Sequence, residues 1–170
     1  MLITPLLSYS QADIIVANYE IFRYSGSVDT TEKEYSITYE DSVYYLTFQN
    51  ITSVYNEPII WNFSIKDNDQ VTESIVRSYK HQLIDYISLE FNGKEYKIYR
   101  FCYAPPNSSD ADNFVFFEPN YGILINKSIN WRNFEKMSGV GNSYDNSVIS
   151  YFVTYVLTTP KFFHDISFEL

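Results

Sequence analysis

The chain has 170 residues, 21 Asp plus Glu against 12 Lys plus Arg, and one Cys. That length suits a single domain spanning 1–170, able to bury ~70% of its unfolded surface without a covalent staple, and the lone Cys102 excludes an internal disulfide. A net charge of −9 repels a phosphate backbone and so argues against a nucleic-acid partner, while fitting a basic protein partner or plain solubility.

The opening, Met1 to Ser10, holds Pro5 and no basic leader, so no secretion signal is read from it; an exported form would be a processed chain with a start Met added. Aromatic residues dominate the rest of the chain: 17 Tyr, 13 Phe and 2 Trp in all, many of them interleaved with β-branched and polar residues at the strand period of two. Tyr35, Ile37 and Tyr39 alternate, a break falls at Glu40, Asp41 and Ser42, and Val43 to Phe48 resumes, which predicts a hairpin. Ile59, Trp61, Phe63 and Ile65 fall on one face, with Asn62, Ser64 and Lys66 on the other, as in a half-buried strand.

Asp67-Asn68-Asp69 begins like a calcium loop, but Val71 occupies the next ligand position and both the turn glycine and the closing Glu are missing. The segment Val71 to Gln82 reads as a helix capped by Asp69, with Ile75, Val76 and Tyr79 on one side, and almost equally as a strand. Asn92-Gly93 then supplies the two positive φ angles of a type I′ turn between Leu83 and Tyr103. A two-residue loop fixes the register: Phe91 opposite Lys94, Leu89 opposite Tyr96, Ile87 opposite Ile98, and Asp85 opposite Arg100 as a cross-strand ion pair. The same register opposes Glu90 and Glu95, with Lys97 diagonal; a cation between them is the sharper reading and two solvated carboxylates the plainer one.

Cys102 alternates within an apolar run and reads as a small core residue. The polar, proline-containing stretch 104–113 reads as an exposed loop in which Asp110 and Asp112 satisfy their own backbone. Phe114 to Ile125 predicts a second hairpin, with Pro119 setting φ in the turn and Gly122 at a bulge or positive φ. A short helical turn is expected over Asn133 to Ser138, ended by Gly139 and Gly141. The β-branched run Val148 to Thr159 is expected to be a late strand stopped by Pro160, and its apolar stretch, Val148 to Leu157, is half the ~20 residues of a membrane span. The sequons at Asn50, Asn62, Asn107 and Asn126 are compositional, since Asn, Ser and Thr abound.

Chemistry is sparsely signalled. His81 and His164 are the only histidines, neither in a nucleophile motif; there is no zinc-ligand cluster and no glycine-rich phosphate loop, so no cofactor or metal is expected. The many carboxylates single out no catalytic pair, and a non-enzymatic role is favoured. One constellation remains: Trp61, Tyr121 and Trp131 with Asn130 and Asn133, rings and planar amides of the kind that stack on a sugar face and bond its hydroxyls. Trp61, on the apolar side of its strand, also reads as core.

The stretch Phe116 to Phe134, with its aromatic strand, Tyr-Gly-Ile centre and later Trp131, resembles a segment of uncharacterised exported β-rich proteins of Bacteroidetes. The resemblance implies an envelope or surface location, often as a lipoprotein, with no catalytic residues. The chain as it stands shows neither the signal sequence nor the lipid-attachment Cys of such proteins.

The expectation is thus a mainly β domain, an antiparallel sandwich or partly open barrel of roughly eight to ten strands with one or two short helices. Its expected role is a protein-interaction or structural module of an envelope or surface assembly, binding a protein partner or a second copy. A carbohydrate-binding module and an acidic cytosolic inhibitor of a basic protein are the alternatives.

Overall fold

Period-two alternation builds nine strands, seen in a computed structural model that describes residues 13–52, 58–65, 78–103, 113–128 and 133–163. In chain order they are β1 (Ile14–Phe22), β2 (Val28–Glu40), β3 (Val43–Thr52), β4 (Pro58–Ser64), β5 (Ser78–Phe91), β6 (Lys94–Tyr103), β7 (Asn113–Glu118), β8 (Gly122–Ser128) and β9 (Phe134–Val140). Each pairs with its neighbours in sequence, antiparallel throughout except for the parallel pair β4 and β5. β9 returns to β1, with Tyr19 opposite Met137 and Ile21 opposite Glu135, so the single sheet rolls into a barrel. Two seams are thinly paired: β4 with β5 from Ile60 to Phe63, and β8 with β9 from Ile125 to Lys127. This is the mainly β architecture with two helices that the sequence leads to.

Turn chemistry sets the local register. Asn92 (φ 51°) and Gly93 (φ 75°) make the expected tight turn, and every predicted pair across it forms, from Phe91 with Lys94 to Asp85 with Arg100. Asp41 (φ 50°) and Ser42 (φ 68°) make an equivalent two-residue turn between β2 and β3. Gly122 takes φ 90° where β7 turns into β8, next to a register shift between Phe116 and Phe117.

The barrel interior is aromatic. Phe63 stacks on Phe117 at 4.6 Å and meets Phe101 at 5.0 Å, with Tyr35, Leu46 and Ile123 wholly buried around them. Two buried tyrosines satisfy their hydroxyls on backbone: Tyr19 donates to the Ile123 carbonyl at 2.8 Å and Tyr35 to the Tyr121 carbonyl at 2.6 Å. Burial raises the pKa of both phenols well above the ordinary value, so they stay neutral donors.

The helices cover the outside of the β6–β9 side. α1 (Ser143–Thr158) buries Val148, Ile149, Phe152, Val153 and Val156, and α2 (Pro160–Phe163) lays Phe162 and Phe163 over Phe116 at 5.2 and 5.9 Å. Arg100 is buried at that joint: it donates two bonds to Asp85, at 2.8 and 2.6 Å, and one to the Phe162 carbonyl at 2.9 Å.

Three local expectations are corrected. The run Val148 to Thr159 is helix, because its apolar residues recur at helical spacing against the sheet and Asn142 caps the preceding turn by accepting from the Asp145 N–H at 3.0 Å. Pro160 opens α2 rather than stopping a strand. The stretch Asn133 to Ser138 is not a helical turn; Phe134 onward forms β9, held extended by pairing with both β1 and β8. Within Val71 to Gln82, residues 78–82 belong to strand β5, as the alternative reading has it, and 71–77 lie outside the described residues.

Candidate ligand cavity at the barrel mouth

One end of the barrel collects the close of β3 and β6 and the start of β4, β5 and β7. Inward-facing side chains there stop short of filling the space, leaving a cavity of about 300 Å³. Among the described residues its wall comprises Phe48, Ile59, Trp61, His81, Tyr103 and Val115, with Lys33 and Asn113 as further polar members. Trp61 and Phe48 meet edge to face at 5.5 Å, and the His81 ring lies 5.0 Å from Trp61, 4.4 Å from Phe63 and 5.2 Å from Tyr103. The aromatic wall is therefore braced by mutual packing.

Lys33 is the unusual member. It shares the inward parity of Tyr35 and Ile37 on β2, so alternation carries an ammonium into the barrel. It ion-pairs with Glu135 on β9, both side chains being largely buried, and lies 4.6 Å from the centre of the Tyr19 ring. The Asn126 side-chain amide donates to the same Glu135 Oε1 at 3.2 Å, while Asn126 Oδ1 is buried with no hydrogen-bond partner. An apolar chamber thus borders a small polar group at one wall.

At the opposite end of β7 and β8, Glu118 is almost wholly buried and accepts from the Asn120 N–H (2.7 Å), the Asn120 side-chain amide (2.8 Å) and the Tyr121 N–H (3.1 Å). Burial pushes its pKa above the usual carboxylate range, against those bonds and Lys94, which pull it down. A tyrosine group lies at this end of the barrel too. Tyr44 contacts Tyr39 at 4.5 Å and Tyr99 at 6.3 Å, and Tyr99 contacts Tyr86 at 5.8 Å; burial, then the neighbouring phenols, pushes Tyr44 up to about 12. Tyr39 and Tyr86 are more than half exposed, and Tyr144, Tyr151 and Tyr155 line the outer side of α1.

Of the residues proposed from sequence for a sugar platform, the three described ones, Trp61, Tyr121 and Asn133, lie apart. Trp61 faces the cavity. Tyr121 is 9% exposed at the far turn, its hydroxyl donating to Asp145 at 2.9 Å. Asn133, at the head of β9, accepts from the Tyr24 N–H at 2.7 Å, and Asn130 and Trp131 lie outside the described residues. Lys33, Tyr103 and Asn113 were not singled out from sequence; the one available signal was a lysine at an inward position of an alternating strand. Among the described residues no group of three metal-ligating side chains occurs, and no helix is long and apolar enough to cross a membrane.

No family model matches the chain, and no curated protein does. Among solved structures, the chain is similar to one assigned provisionally as an outer membrane lipoprotein-sorting protein domain from Vibrio parahaemolyticus, at 8% identity over 80% of this chain and 90% of that one, with a TM-score of 0.29. A likeness of that degree leaves function to the geometry.

Proposed function

We propose that this protein is a non-enzymatic binding module that holds a compact, largely apolar molecule in the mouth of its barrel. The observation behind this reading is the cavity of about 300 Å³ walled by Phe48, Ile59, Trp61 and Val115, at the small end of the ~300–1,000 Å³ typical of ligand pockets. At roughly 30 Å³ per water-sized atom it has room for about ten non-hydrogen atoms. Its wall offers packing surface and a few polar contacts, the composition of a recognition site rather than of a nucleophile and base.

The test is ligand-induced stabilisation with 1-octanol, a neutral probe of suitable size. Saturating octanol should raise the melting temperature, and Ile59→Trp, which plugs the chamber, should abolish the rise. No shift with the unplugged protein would count against the reading.

A second reading, interaction with a protein partner, is favoured by the exposed tyrosines Tyr39, Tyr86, Tyr144, Tyr151 and Tyr155. Affinity capture from native cells, comparing the wild type with a Tyr39→Ser/Tyr86→Ser variant, tests it; equal recovery of bound protein would reject those two positions as the contact. An envelope or surface setting belongs to the same proposal and rests on the resemblance of Phe116 to Phe134. Cell fractionation decides it.

A further inference from the structure

The cavity has one charged wall residue among those described, and that residue is a cation. Among the described residues Lys33 lines it and no carboxylate does; Glu135 pairs with Lys33, and Asn126 donates to Glu135. An ammonium has three donors. Glu135 takes one and the Tyr19 ring face lies within cation–π range at 4.6 Å, which leaves donor capacity on the Lys33 ammonium. His81 and Asn113 add nitrogen-bearing groups to the same lining.

We infer that the natural ligand is an amphiphilic acid, its apolar body packed on Phe48, Trp61 and Val115 and its carboxylate hydrogen-bonded to Lys33. This inference rests on the binding reading above and narrows it to one ligand class. The Lys33–Glu135 pair is neutral as a unit, so the acid is recognised through a short charge-assisted hydrogen bond rather than through a long-range field. A neutral molecule of the same shape fills the chamber equally well but leaves the Lys33 donor unmatched. An amine places two cations together.

Octanoate, 1-octanol and octylamine share an eight-carbon chain and differ only at the head group, and about ten non-hydrogen atoms match the chamber. Trp61 lies on the wall, so in a Trp131→Phe background its fluorescence reports occupancy directly. Octanoate should bind about tenfold to a hundredfold more tightly than octanol, the worth of one charge-assisted hydrogen bond, and octylamine should bind more weakly than octanol.

Replacing both members of the ion pair, in Lys33→Met/Glu135→Gln, avoids stranding a buried charge. That variant should bind octanoate no better than octanol. Lys33→Arg should keep the preference for the acid. If octanol and octanoate bind the wild type equally, or octylamine binds best, the acid-head inference is overturned while the cavity reading stands. If none of the three binds, the cavity reading itself fails.

Discussion

Gly122→Ala probes the tightest approach in the barrel. Gly122 sits at φ 90°, and a Cβ placed there would lie 2.8 Å from Tyr35 Cε2 and 2.9 Å from its hydroxyl oxygen. Tyr35 has nowhere to retreat: it is wholly buried, its ring packs edge-on against Phe48 at 5.9 Å, and its hydroxyl is bonded to the carbonyl of Tyr121. An L side chain in the left-handed region costs about 1–2 kcal/mol, and forcing an atom into a filled core adds about 1–3 kcal/mol. Loss of unfolded-state freedom returns ~0.5–1 kcal/mol. The net destabilisation is about 2–4 kcal/mol, which at ~2–4 °C per kcal/mol for a chain of this size lowers the melting temperature by roughly 5–15 °C. Gly93→Ala separates the two causes, because Gly93 also has positive φ, 75°, but nothing within 4 Å of its added Cβ; it should cost only about 1 kcal/mol, the left-handed penalty less the unfolded-state gain. Urea denaturation of both variants measures the difference, and equal destabilisation would refute the argument that Tyr35 is the obstacle.

Asp85→Ala leaves the buried Arg100 guanidinium without its carboxylate at the joint between the sheet and α2. Since Asp85 is itself 44% exposed, the loss is discounted to about 1–2 kcal/mol; faster hydrogen exchange in α2 should accompany it, and unchanged exchange there would show that the pair does not hold that helix. Asn142→Ala removes the side chain that caps α1 and should lower stability by about 1 kcal/mol, read as a shift in the urea midpoint without change in slope. Glu118 holds its proton more tightly in the folded than in the unfolded protein. The stability this supplies is complete below the ordinary carboxylate pKa and is lost as pH rises through the folded-state value. Wild-type stability, relative to Glu118→Gln, should therefore fall as pH rises through that window and then level off; a rise over the same window would contradict the burial argument.

Much of the sheet was legible because its signals are local. Asn92-Gly93 dictates a two-residue turn, and a strand period of two then fixes every pair from Phe91–Lys94 to Asp85–Arg100 without reference to the rest of the chain. The inward set Ile59, Trp61, Phe63 and Ile65 followed from parity in the same way. The misreadings share another origin. Val148 to Val156 is rich in β-branched residues, and intrinsic preference pointed to a strand; the spacing of Val148, Ile149, Phe152, Val153 and Val156, together with the Asn142 cap, points to a helix, and burial against the sheet decides for the latter. In Phe134 to Val140, Glu135 and Lys136 obscure the alternation, and pairing with β8 on one side and with β1, more than a hundred residues away, on the other makes it a strand.

The candidate site was less legible for the same reason. Trp61 was recognisable as an inward aromatic, and Lys33 could have been flagged by its parity with Tyr35. Nothing local joins them. Residues from β2, β3, β4, β5, β6 and β7 become neighbours only when the sheet rolls up and β9 pairs with β1. By itself the sequence determined the excess of acid over base and, where the signal is local, the alternating strands around Tyr35 and Trp61, the turn type at Asn92-Gly93 and the register of that hairpin, which depend on residues a few positions apart. The tertiary structure alone decided the barrel, the placement of α1 and α2 over its outer side, the burial of Tyr121 and the chamber beside Lys33, because each depends on contacts whose energy exists only after distant segments have met.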